Sequence, residues 1–272
     1  MTARWLLLGT TQLGLWILLI AVRLFLIFPL VVVVPESFSP TAILAFPPTG
    51  FSLRWYQDFF GDPNWLQALW LSIKLGLAVA VVATLLGLGA AVALVRFVTF
   101  GKSPIRALVL APLIVPVIVT AIALFEIMTR LDLVGSFLGL LLCHTVLALP
   151  FPFFILENAL KSVDPNLEDA AVSLGASRLL AFCKITVPLI MPSIFGAALF
   201  AFLASWDEVV VVLFVGGALL QTLPVQMFQF LTTEVRPTIA AASTMLIAAL
   251  LIGMLLMRML AGARGSMRRR NP

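Results

Sequence analysis

Two acidic residues side by side, Asp207 and Glu208, interrupt the apolar run SWDEVVVVLFVGG. An ionisable side chain at the centre of a bilayer costs about 2.5–3.5 kcal/mol on insertion scales, so adjacent carboxylates there need a reason. One is an aqueous pathway, where a few acids lower the desolvation cost of a passing cation without binding it too tightly for release. The other is structural: the pair caps the outer end of a helix, or pairs with Arg130 or Arg236. Both readings stand open from sequence. The remaining reactive groups point away from bond-making chemistry. His144 is the single histidine and sits among apolar residues, which reads as a hydrogen-bonded core group. Cys143 and Cys183 offer no disulfide framework and read as small apolar fillers. Neither an H-E-x-x-H nor a G-x-S-x-G stretch is present, which makes an intramembrane enzyme remote. Gly101-Lys102-Ser103 lacks the earlier glycine of a phosphate-binding loop, Arg96 standing in its place. No catalytic residue, metal site or bound cofactor is expected on this chain.

The elements that must position these residues are membrane helices. Of 272 residues 62% are hydrophobic and 11% charged, with mean hydropathy +1.16, too little polar surface for a water-soluble domain. A span needs about 20 apolar residues, and six candidates fit: 12–34, 68–95, 106–128, 137–157, 189–215 and 238–261. The expected fold is all-α, a single transmembrane domain over residues 1–272. The first apolar stretch is too long for a cleaved signal peptide and is expected to stay as a membrane helix. Gly76, Ala80, Ala83, Gly87 and Ala90 recur every three or four residues and predict a close-packed helix seam. Pro112, Pro116, Pro150 and Pro152 predict bends in the third and fourth spans. In the outer segment 35–66, Trp55, Tyr56 and Trp65 either dock a partner or form a headgroup belt. Glu126 and Glu157 read as span-end residues that snorkel, while Arg23 has no obvious partner in sequence.

Net charge is +5, and its distribution sets topology. Six spans put Arg4, Arg96, Lys102, Arg106, Lys161, Arg178, Lys184, Arg264 and Arg268-Arg269-Arg270 on one side, against Arg54, Arg130 and Arg236 on the other. The positive-inside rule then predicts both termini in the cytoplasm. Basic clusters beside a span ordinarily fix topology and touch anionic lipid, so no nucleic-acid partner is expected.

Between the fourth and fifth spans lies a polar stretch, 158–188, whose core is EDAAVSLGASRLLAFCKITVP, Glu168 to Pro188. Asp164-Pro165 predicts a helix start. Leu167, Ala170, Ala171 and Leu174 recur at helical spacing, Gly175 suits a helix C-terminus, and Ser177 suits the cap of a second segment. The order Asp169-Ala170-Ala171, three residues, Gly175, nine residues, Ile185, one residue, Val187-Pro188 resembles the EAA loop of binding-protein-dependent ABC importer permeases, E-A-A-x3-G-x9-I-x-L-P. It departs conservatively at Asp169 and Val187.

The resemblance, from about Phe46 to Met254, implies a type I importer permease in the bacterial inner membrane. Its loop, including Glu168, would dock on a cytoplasmic ATPase subunit and act as a lever when two ATPases close on ATP. It implies as partners two ATPase subunits, a companion permease and an extracytoplasmic solute-binding protein, with ATP and magnesium held by the ATPases. The stretches FPPTGFSLRWYQDFF, FAFLASWDEVVVVLFVGG, TLPVQMFQF and PTIAAASTMLI are similar to spermidine/putrescine-type permeases and imply a polyamine solute. Related permeases carry iron, thiamine, sulfate or other solutes. An ion-coupled secondary transporter would use buried acids too but would leave the long loop unexplained.

Overall fold

A backbone in hydrocarbon must satisfy its own hydrogen bonds, and a helix does so within one segment. The computed structural model describes residues 2–42, 46–98, 100–233 and 236–268, the side chains of 2–11, 13, 254 and 256–268 excepted. Every regular element among them is helical. The basic residues Arg4, Arg264 and Arg268-Arg269-Arg270 lie outside the described side chains. By length and composition three helical stretches suffice to cross a membrane: Gly14–Glu36, Pro63–Phe97 and Arg178–Trp206. Two bent pairs bring the number to five, and Thr238–Gly253 is a shorter apolar helix.

The chain divides into two units. The first combines Met1–Pro63 with Phe230–Pro272. In it α1 (Thr2–Glu36) and α2 (Arg54–Gly61) both pack on α13 (Thr238–Arg268). Polar groups hold the chain just after α1 against α2. Trp55 Nε1 donates to the Ser39 carbonyl at 2.7 Å, and the hydroxyls of Ser37 and Tyr56 meet at 2.7 Å. Phe38 stacks on Phe51 with ring centroids 4.7 Å apart. Trp55 is therefore buried, as is Trp65. Neither side chain forms the docking surface or headgroup belt that composition suggested. Arg23 lies exposed on α1 among exposed apolar residues.

The second unit, Asn64–Gln229, holds the candidate site residues. Its first helix is α3 (Pro63–Val92), which runs into a π-helical turn at Ala93–Phe97. The predicted third span is α4 (Lys102–Ile114) and α5 (Val117–Arg130), bent by 104° where Pro116 follows Val115. The fourth is α6 (Phe137–Ala148) and α7 (Pro150–Ser162), bent by 46° ahead of Pro150. Proline withholds an amide donor and crowds the preceding turn, which explains both breaks. The loop holds α8 (Asn166–Ser173) and α9 (Arg178–Ala181), then a second π-helical turn, Phe182–Thr186. α10 (Val187–Trp206) follows, then α11 (Val210–Val215) and α12 (Leu223–Thr233).

Two apolar clusters hold this unit together. One gathers Leu75, Val79, Leu124, Leu140, Val211 and Val215; the other, nearer the loop, gathers Leu94, Phe153, Leu156, Leu160, Ile190 and Ala197. The small-residue stripe on α3 is the predicted seam. A Cβ on Gly87 would lie 2.8 Å from Pro152 Cβ and 2.9 Å from the Phe153 amide nitrogen, so α3 touches α7 backbone to backbone there.

Candidate functional site

The loop folds as the sequence predicts. Asp164 accepts a hydrogen bond from the Asn166 amide at 3.0 Å and so starts α8. At the other end Gly175 takes φ +94°. Its amide donates to the Val172 carbonyl at 2.9 Å, and the Ala176 amide donates to Ala171 at 3.1 Å. These two bonds make a Schellman cap, satisfying carbonyls that the helix end leaves open. Ser177 Oγ accepts from the Leu180 amide at 3.2 Å and starts α9. Ile185 is half-buried in the π-helical turn, and Pro188 is exposed in the first turn of α10.

This helix–turn–helix presents apolar side chains outward beside its polar ones. No residue of α8 is buried: Ala170 is exposed and Ala171 half-buried. Leu174 is 90% exposed and Leu179 73%, with Leu167 and Leu180 also in the open. A polar loop carrying its leucines outward leaves apolar area for a partner to cover.

The two acids of α8 face different ways. Asp169 is exposed and stands 3.9 Å from an exposed Arg178, a contact that solvent screens. Glu168 turns inward. Its Oε1 accepts from Arg96 Nη2 at 3.3 Å and from the buried Thr186 hydroxyl. A cavity of about 600 Å³ opens beside this contact, lined by Val95, Arg96 and Phe97 of the first π-helical turn region, Glu168 and Asp169 of α8, and Phe182. Sequence reading grouped Glu168 with the loop but did not find Arg96 or Thr186 as its partners. The Arg96 contact spans 72 positions, and no local signal links the two residues.

Asp207 and Glu208 lie at the far end of α10, apart from the loop. Asp207 ends that helix and is exposed; among the described residues its carboxylate has no hydrogen-bond or ion-pair partner. Glu208 is half-buried, and its Oε1 accepts from the Val211 amide at 2.9 Å, capping α11. Both line a cavity of about 410 Å³ with Leu147, Phe151, Phe200 and Leu203. The rings of Phe151 and Phe200 lie near parallel with centroids 6.5 Å apart. The structural reading of the pair thus holds for Glu208 as a cap, whereas Arg130, one suggested partner, pairs with Glu126 at 2.8 Å.

Glu157 does not snorkel. It is 2% exposed and binds Arg106 and Lys161, the latter at 2.8 Å. His144 is buried with Nδ1 2.9 Å from Ser205 Oγ, the core group expected of it.

Membrane helices that surround an acid-lined cavity, with a structured polar loop carrying exposed leucines at one end, have the architecture of a transport subunit. Residues 83–264 match the family model for the binding-protein-dependent transport system inner membrane component. The chain is 32% identical over 232 residues to the putrescine transport system permease protein PotI of Escherichia coli K12, covering 83% of this chain and 82% of that one. It is 30% identical to the spermidine/putrescine transport system permease protein PotC of Haemophilus influenzae, covering 82% and 86%. It is also 33% identical to the sulfoquinovosyl glycerol transport system permease protein SmoH of Agrobacterium fabrum, covering 79% of each. The crystal structure of a bacterial ABC transporter involved in import of the acidic polysaccharide alginate has a chain that superposes with TM-score 0.70 at 17% identity, covering 92% of this chain and 96% of its own. This protein belongs to the family of inner-membrane permease components of binding-protein-dependent ABC importers.

Proposed function

We propose that this chain carries a polyamine, putrescine or spermidine, across the bacterial inner membrane as one of two permeases in an ATP-driven importer. The observation that carries the solute assignment is the cavity at Asp207 and Glu208. A polyamine alternates ammonium groups with methylene runs. Two carboxylates suit the ammonium groups, the faces of Phe151 and Phe200 suit a cation stripped of water, and Leu147 and Leu203 suit the methylenes. The likeness to PotI and PotC supports the same solute class. SmoH, named for sulfoquinovosyl glycerol, is also 33% identical, so the solute reading rests on the acids and not on identity alone.

In this reading the chain crosses the membrane six times, with residues 238–261 as the last span and both termini in the cytoplasm. Arg96, Arg106, Lys161 and Arg178 gather at the loop end of the second unit, which supports a cytoplasmic loop. Leu174, Leu179 and the surrounding loop surface dock on the ATPase, which binds and hydrolyses ATP with magnesium; this chain holds no cofactor. A companion permease completes the pathway, and an extracytoplasmic binding protein delivers the solute. ATP binding favours one of two global states, and the loop transmits that preference to the spans. The test is a tagged chain purified from membranes: an ATPase subunit that co-purifies, and ATP-dependent uptake of labelled putrescine by vesicles containing the complex, support the proposal. A chain that purifies without an ATPase and moves solute on an ion gradient alone would make it a secondary transporter.

A further inference from the structure

Of the two adjacent acids on α8, Glu168 turns inward while Asp169 stays exposed. Its carboxylate reaches two donors, Arg96 Nη2 at 3.3 Å and Thr186 Oγ1, and each donor sits in a π-helical turn. The first turn ends α3 and the second begins α10. Such turns interrupt the regular ladder of a helix and recur at functional sites. The carboxylate thus joins the loop to the loop-side ends of two long helices. α10 then runs for 20 residues, about 30 Å, from Thr186 directly to Asp207. One continuous helix, with Pro192 inside it, therefore connects the Glu168 contact with the acid-lined cavity.

The contact also has room to tighten. Arg96 engages Glu168 through one nitrogen, and its Nε is buried without a partner. A guanidinium satisfies a carboxylate best through two parallel bonds, so a small advance of α8 toward α3 would gain the second. The cavity of about 600 Å³ between them is the space for that advance. We propose that Glu168 is a positioning residue that transmits displacement of the loop to α3 and α10, with the Arg96 pair going from one bond to two as the ATPases close.

The inference rests on the ABC permease reading, and its test does not need the solute. With Cys143→Ala and Cys183→Ser removing the native thiols, Ala204→Cys reports on the cavity beside Asp207. Its labelling rate by a maleimide is measured on the complex with its ATPases, with and without vanadate-trapped nucleotide. In the otherwise intact chain trapping changes the rate by about tenfold, the scale of a typical coupling between sites. Glu168→Gln brings the ratio toward one while the ATPase still co-purifies. The exchanged pair Arg96→Glu with Glu168→Arg recovers part of the change. Thr186→Val, which removes only the second bond, lowers the ratio less and serves if Glu168→Gln does not assemble. A full trapping response in Glu168→Gln overturns the inference. So does loss of the ATPase from a folded Glu168→Gln chain, since the residue would then dock the partner. No ATPase and no trapping response in the intact chain would instead refute the permease reading.

Discussion

Glu157 of α7 and Arg106 of α4 form a two-pronged ion pair, Arg106 Nε meeting Oε2 at 3.2 Å while Nη2 meets Oε1. Lys161, one turn further along α7, adds a third contact to the same carboxylate at 2.8 Å. The acid is buried and both cations are partly exposed, so the cluster ties α4 to α7 and stays solvated on its outer side. Removing one partner of a buried pair costs about 3–5 kcal/mol because the other charge is left buried and uncompensated. Glu157→Leu, which leaves Arg106 unpaired, is expected to cost part of that, because Arg106 keeps some water. The purified chain should lose several degrees in thermal midpoint, and Arg106→Lys should lose less. An unchanged midpoint in Glu157→Leu would show that the pair holds nothing together.

Gly175 separates conformation from packing. A Cβ there meets no atom within 4 Å, so only the left-handed backbone resists a side chain. That conformation costs a non-glycine residue about 1–2 kcal/mol. Gly175→Asn should retain most uptake and Gly175→Ala less. Gly175→Pro should abolish uptake with the chain still inserted, since proline also removes the bond to Val172. Normal ATP-driven uptake by Gly175→Pro would contradict the lever role of the turn.

Gly87 and Gly89 lie on the same helix and should respond oppositely. Alanine at Gly87 forces the α3 and α7 backbones apart and is expected to cost about 1–3 kcal/mol by overpacking. Alanine at Gly89 meets open space and should leave stability unchanged or raise it by about 0.5–1 kcal/mol. Thermal midpoints of the two variants in detergent check the contrast; equal midpoints would remove Gly87 from the seam.

Asp207 and Glu208 can be separated by substitution, since only Glu208 bonds to the backbone. Asp207→Asn removes a carboxylate with no partner in the protein, so it should weaken putrescine uptake, by about tenfold for one lost ion pair, with little change in stability. Glu208→Gln keeps an acceptor for the Val211 amide, whereas Glu208→Ala loses the cap and about 0.5–2 kcal/mol. Unchanged uptake kinetics in the Asp207→Asn, Glu208→Gln double variant would leave the pair a structural feature only.

The legible parts of this protein were those encoded within a few residues. The Gly175 turn, the Ser177 cap, the Asp164 helix start and the small-residue seam on α3 all depend on neighbours one to four positions away. The proline breaks are visible too, at Pro116 and Pro150, but a proline does not state its angle, 104° between α4 and α5 against 46° between α6 and α7. Hidden from sequence were contacts across the fold. Arg96 with Glu168 and Arg106 with Glu157 join helices far apart in the chain, and periodicity within one helix carries no record of a partner on another. Glu157 was consequently read as an interfacial residue because its position near a span end was the only information available. Trp55 and Trp65 follow the same rule: amphipathic rings suit a docking surface or a headgroup belt, and only tertiary structure buries these two. The π-helical turn at Phe182–Thr186 has no sequence signature here at all.

If this chain is the permease of a polyamine importer, cells lacking it, with the partner subunits intact, lose uptake of labelled putrescine and spermidine. Deletion should abolish uptake, the intact chain should restore it, and the Asp207→Asn, Glu208→Gln variant should restore it poorly. Undiminished uptake of both polyamines after deletion, in cells with no second polyamine importer, would contradict the account and assign the chain to another solute.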